Sequence, residues 1–122
     1  MTRHSPEVRL RHMLEHAREA VELASGKTRA DLANIRLLEL GLVRLVEIVG
    51  EAAARIPRDE RAKYPAIPWE DVVAMRNKLI HEYDRVDLDI LWDTVTVELP
   101  DLARALEEAL PPDDPESEGR NQ

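Results

Sequence analysis

The sequence predicts an all-α fold, an antiparallel bundle of four to five helices, and three observations carry that prediction. Apolar residues recur at intervals of three and four in every segment long enough to show a period. Helix punctuation falls between those segments, at Ser5-Pro6-Glu7, Gly26, Pro57, Pro68 and Asp87. No run alternates apolar and polar residues with the period of two that a half-buried strand requires.

Ser5, Pro6 and Glu7 supply a cap, a first-turn proline and a first-turn acid for the first helix. Its apolar face is Leu10, Met13, Leu14, Ala17, Ala20, Val21 and Ala24, and Gly26 closes it as a left-handed cap. A second helix is expected from near Asp31 to Ile56, with Ile35, Leu38, Leu42, Leu45, Val49, Ala52 and Ile56 in three-four alternation. Leu37, Leu40, Val43 and Ile48 make it apolar on more than one side, the mark of a central helix or of one that faces a partner chain. Gly41 and Gly50 inside it point to close helix approach.

Pro57 to Pro68 reads as a connector with one short turn near Asp59–Lys63. A third helix begins near Pro68 or Trp69 with Glu70 and Asp71 in its first turn, and frays around Tyr83–Val86. Asp87 caps a fourth, whose face is Leu88, Leu91, Trp92, Val95, Leu99, Leu102, Leu106 and Leu110. Pro100 interrupts that face in phase, which predicts a kink near Thr96 rather than a break. Residues 1–110 therefore read as one helical domain. Residues 111–122 read as an acidic disordered tail of net charge −3.

Composition narrows the function classes. With no cysteine, disulfides and thiolate metal sites are excluded, which suits a cytoplasmic protein. No run approaches the roughly 18 apolar residues of a membrane span, and the polar N-terminus with Pro6 does not resemble a signal peptide. A formal charge of −8 is not that of a general polyanion binder, so any nucleic-acid contact has to be local. Tyr64, Trp69, Tyr83 and Trp92, without a phenylalanine, make a base-stacking platform an unpromising reading.

Chemistry concentrates in Arg76-Asn77-Lys78-Leu79-Ile80-His81-Glu82-Tyr83. On a helical projection Arg76 falls within a stripe of Val72, Val73, Leu79, Ile80 and Tyr83, where a charge has to be paired or used. Glu47 and Glu51 are candidate partners for it. Asn77 and His81, four apart, share a helix flank, whereas Arg76 and His81 stand about 140° apart. Either the helix loosens before His81, or the site combines groups from two chains of a symmetric dimer. Two imidazoles and two guanidiniums in one cleft suit RNA cleavage without a metal. One imidazole removes the 2′-hydroxyl proton, the second protonates the leaving 5′-oxygen, and guanidinium groups stabilise the phosphorane-like charge. The bland alternative is an ion-paired Arg76 and a surface His81. A second motif, His12-Met13-Leu14-Glu15-His16, has the spacing of a helical zinc site but lacks a third ligand and a large scaffold, and reads as a solvated face.

Arg76-Asn77-x-x-x-His81-x-Tyr83 resembles the signature of HEPN-domain proteins, specifically the HepT-like toxin ribonucleases. Glu47-Ile48-Val49-Gly50-Glu51-Ala52-Ala53 and Tyr64-Pro65-Ala66-Ile67-Pro68-Trp69 are similar to that family's flanking helix and connector, as are Asp87-Leu88 and Leu91-Trp92-Asp93. The likeness spans about residues 5 to 110. It implies a helical homodimer with a composite ribonuclease cleft, using Arg76 and His81 in catalysis and Asn77 in positioning, with RNA as substrate, Lys78 as a substrate-binding cation and neither metal nor cofactor. It also implies a minimal nucleotidyltransferase antitoxin that transfers AMP to Tyr83, setting negative phosphate beside a cleft meant for RNA. Where many relatives carry glycine between the histidine and tyrosine, this chain carries Glu82. Some HEPN domains lack nuclease activity and support a transferase as binding modules, which is the alternative expectation.

Overall fold

A computed structural model describes residues 5–82 and 85–112; the motif Tyr83 and the tail from residue 113 lie outside the described residues. The chain forms α1 (Pro6–Ala24), α2 (Arg29–Asn34), α3 (Arg36–Ala54), α4 (Arg58–Arg61), α5 (Trp69–Leu79), β1 (Ile80–Glu82), β2 (Arg85–Val86), α6 (Leu88–Asp93) and α7 (Leu99–Ala109). A π-helical turn, Thr94–Glu98, joins α6 to α7 in one continuous rod. The fold is an all-α bundle. Four rods, α1, α3, α5 and α6–α7, enclose one core, with α2 and α4 as short side pieces.

The ends of α1 form as the sequence requires. The Ser5 hydroxyl accepts a hydrogen bond from the Val8 amide at 3.2 Å, and Gly26 has φ of 76°. The expected second helix is instead two. Ile35 adopts extended angles, φ −116° and ψ 94°, and separates α2 from α3. The break lets Leu32 turn inward until it is fully buried, with α2 packed against both α3 and α6. Thr28 and Asp31 form a reciprocal capping box at the start of α2, which stabilises so short a helix locally. Ile35, placed by its spacing on the core face, is 41% exposed because its backbone leaves the helix there.

Core packing follows the helical periods. Leu10, Met13 and Leu14 of α1, Leu42, Val46 and Val49 of α3, Val72, Met75 and Leu79 of α5, and Leu99, Leu102 and Leu106 of α7 are all buried. Pro100 cannot donate to the fourth carbonyl before it, and the chain absorbs this by widening into the π turn. Thr94, the buried polar side chain of that turn, has its hydroxyl 2.8 Å from the Ile90 carbonyl and 3.0 Å from a Glu98 carboxylate oxygen. The rod bends its hydrogen bonding without ending, as the in-phase apolar face requires.

The connector ties α3 to α5. Arg61 donates from Nε to the Ile56 carbonyl at 2.9 Å and from its terminal nitrogen to Ala53 and Ala54, filling acceptors that the end of α3 leaves open. Its guanidinium lies 5.9 Å from the Trp69 ring centroid, and the Trp69 indole donates to the Arg61 and Tyr64 carbonyls at 3.0 and 3.2 Å. The start of α5 is thereby held against the end of α3.

Two glycines of α3 face different neighbours. A Cβ on Gly50 would lie 3.3 Å from the Val72 carbonyl oxygen, a backbone atom of α5, whereas one on Gly41 would meet only the Leu23 side-chain tip at 3.3 Å. Gly41→Ala is expected to be neutral or to stabilise by up to about 1 kcal/mol, since alanine is the better helix former and Leu23 can turn aside. Gly50→Ala is expected to destabilise by roughly 1–2 kcal/mol, because the α5 backbone has to retreat. Urea unfolding of the two variants checks this, and equal effects would show that the α3–α5 approach is not tight.

Candidate active site

The functional motif straddles the end of a helix. α5 stops at Leu79, and Ile80–Glu82 pairs antiparallel with Arg85–Val86, Ile80 opposite Val86 and Glu82 opposite Arg85, with an irregularity between. The Asp87 amide donates to the Leu79 carbonyl at 2.8 Å and closes the ribbon. The Asp87 carboxylate then accepts from the Asp89 and Ile90 amides, both at 3.0 Å, and starts α6. The switch from helix to strand follows from what comes next in the chain: the last turn of α5 ends where the backbone has to reverse to reach α6.

This corrects two expectations. Asn77 and His81 do not share a helix flank, because Asn77 is on α5 and His81 is on β1. A short pair of strands also exists, which a search for period-two alternation passes over because three residues are too few to show a period. The helix does loosen before His81, the first of the two options left open by the five-residue step. The His81 side chain, like Tyr83, lies outside the described residues.

Arg76 is exposed rather than buried. The buried stripe of α5 is Val72, Met75 and Leu79, and Arg76 stands roughly 65° from its centre at 100° per residue. A projection that includes Ile80 and Tyr83 pulls the stripe toward Arg76, but α5 ends at Leu79 and Ile80 belongs to β1. Nor does Arg76 pair with Glu47 or Glu51. Glu47 lies 3.8 Å from Arg44 and Glu51 3.6 Å from Arg55, each within one turn of its own helix. Among the described residues Arg76 makes no ion pair. Arg76 and Lys78 occupy the last turn of α5, where cations also complement the helix dipole.

Arg76 and Asn77 open into a groove of about 300 Å³ between α3 and α5, lined also by Gly50, Glu51, Ala54, Arg55 and Val73. Lys78 is exposed on the next position of the same turn and is not part of that lining. Glu51 is therefore a wall of the groove although it is not the ion-pair partner of Arg76, while Glu47 sits further back along α3. Arg55 is the groove residue that the motif does not include. Its signal in the sequence is the four-residue step from Glu51 at the end of a helix. On α1, the His16 Nδ1–H donates to the His12 carbonyl at 2.7 Å, and neither histidine lines the groove.

A family model described as ribonuclease HepT-like matches residues 13–109. The chain is 35% identical over 106 residues to a protein named as a candidate RNase in Caldanaerobacter subterraneus, covering 87% of this chain and 95% of that one. It is 40% identical over 93 residues to a protein named as a probable ribonuclease HepT in Thermococcus cleftensis, covering 73% and 84%. A similar protein in Methanocaldococcus jannaschii, also named as a candidate RNase, is 33% identical over 98 residues, covering 80% and 81%. No solved structure matches the chain significantly.

An exposed Arg76 with no ion pair among the described residues contributes little to folding. Arg76→Ala is expected to lower stability by under about 1 kcal/mol, mostly through lost helix-end electrostatics. A loss of several kcal/mol in denaturant unfolding would return Arg76 to a structural role.

Proposed function

The chain belongs to the HepT-like ribonuclease family, and from that premise we propose that it is a homodimeric, metal-independent endoribonuclease toxin whose motif acts on RNA phosphate. The observation that carries the reading is the placement of Arg76 and Asn77. Both are exposed side by side in the α3–α5 groove, one helical end away from the strand that holds His81. A guanidinium offered to solvent at such a place suits an anionic ligand better than a structural ion pair does.

The chemistry assigned to these residues is cleavage by internal transfer. The RNA 2′-oxygen forms a bond to the adjacent phosphorus while the bond from phosphorus to the 5′-oxygen breaks, leaving a 2′,3′-cyclic phosphate and a 5′-hydroxyl. One imidazole accepts the 2′-hydroxyl proton and another donates a proton to the leaving oxygen. Arg76 stabilises the charge on the phosphorane-like transition state, Asn77 orients, and Lys78 binds flanking phosphate. The motif holds one histidine, so the acid–base pair takes its second from another copy. The uncovered outer face of α3 supports such a pairing. Leu37, Leu40, Arg44, Glu47 and Glu51 form one stripe, with Leu37 80% and Leu40 47% exposed, and the stripe ends at the groove.

Control is assigned to Tyr83. A minimal nucleotidyltransferase antitoxin would transfer AMP from ATP to its phenol, the tyrosyl oxygen attacking the α-phosphorus as pyrophosphate leaves. The added phosphate repels RNA from the neighbouring cations. No helix among the described residues is long and apolar enough to cross a membrane, which is compatible with action on cytoplasmic RNA.

Expression without the neighbouring transferase is expected to arrest growth, and the purified dimer to cleave RNA in EDTA with cyclic-phosphate ends. His81→Ala is expected to lower the rate at least 10²-fold. Full activity in that variant overturns the mechanism. A tight, non-toxic complex with the transferase, with no cleavage, favours the alternative of a binding module. Intact mass after co-expression is expected to rise by AMP units in the native chain and not in Tyr83→Phe.

A further inference from the structure

We infer that Arg55 is a second phosphate ligand in the groove of Arg76, and that Glu51 is the carboxylate it releases when RNA arrives. This rests on the ribonuclease reading above and adds two residues to it. Arg55 ends α3, and its side chain lines the same groove as Arg76 and Asn77 while remaining 65% exposed. Two guanidiniums and an amide thus share one opening with a single carboxylate, a local positive balance on a chain of net charge −8. For a polyanion repelled by most of the surface, such a local balance decides where it lands.

Arg61, in the connector that follows α3, is not available to the groove. Arg61 is committed to the Ile56, Ala53 and Ala54 carbonyls and to the Trp69 ring. Among the described residues Arg55 pairs only with the Glu51 carboxylate, at 3.6 Å, and that contact is beyond good hydrogen-bond length. With Glu51 itself 49% exposed, water screens the pair and makes it weak. A phosphate that meets the guanidinium fork with two oxygens is a stronger partner. Glu51 keeps Arg55 turned toward the groove in the empty protein and competes with the substrate for it.

The test uses the full chain with Arg55→Gln, Arg55→Lys and Glu51→Gln. Binding is read on a 2′-O-methylated RNA oligonucleotide, which lacks the attacking hydroxyl, and turnover on its unmodified counterpart. Arg55→Gln is expected to weaken binding and raise KM about five- to tenfold with kcat unchanged, and to lower the slope of log affinity against log salt by about 0.7, the share of one single-strand phosphate contact. Arg55→Lys is expected to keep the slope and lose part of the affinity. Glu51→Gln is expected to tighten binding about two- to threefold. Unchanged affinity and slope in Arg55→Gln overturn the inference while the ribonuclease reading stands. A native chain that neither binds nor cleaves RNA removes both.

Discussion

The approach of α3 and α5 at Gly50 is the contact on which the candidate site depends. With no side chain there, a Cβ would lie only 3.3 Å from the Val72 carbonyl oxygen, so any larger residue would push the α5 backbone back by a few tenths of an ångström. The groove beside this contact is lined from both helices, with Gly50 and Val73 among its walls. The connector reinforces the approach, since Arg61 fills the last carbonyls of α3 and stacks under the indole that begins α5. Arg61 thus holds the junction, while Arg55, next to Ile56 at the end of α3, is left 65% exposed.

Regular packing and irregular backbone divide the molecule. The apolar rods bury side chains at their expected periods, and the departures are local: the break at Ile35, the stop at Leu79 and the π turn before Pro100. The stop at Leu79 matters most for function. It places Arg76 and Asn77 on a helix and His81 on a short strand, so the groups proposed to bind phosphate and the group proposed to move protons are held by different kinds of backbone.

Charge on this surface is spent unevenly. Several arginines pair within a turn of their own helix, as Arg36 does with Glu39 at 3.3 Å and Arg44 with Glu47 at 3.8 Å, and such exposed pairs contribute little to stability. Arg76 stands apart from that pattern. On an acidic protein, a cation with no ion pair among the described residues, beside an amide and a second guanidinium, is a local feature of the kind that favours anionic ligands over the surrounding surface.

The sequence by itself determined the fold class, the buried faces of α1, α3 and α6–α7, the caps at Ser5 and Asp87, and the continuity of the last rod through Pro100. Those features are local: a three-four period and a capping side chain act within one or two turns. The motif and its likeness to HepT-like ribonucleases were also legible, because residue identity and spacing carry them. The exposure of Arg76, the partners of Glu47 and Glu51, the break at Ile35 and the presence of Arg55 in the groove were decided only by tertiary structure. A helical projection assumes that the helix continues, and α5 ends at Leu79 because the chain must turn back toward α6, so Ile80 never joined the stripe that made Arg76 look buried. Likewise no spacing in one helix can show that Arg55 of α3 and Arg76 of α5 share an opening, since the close approach that joins them depends on a backbone contact between residues more than twenty positions apart.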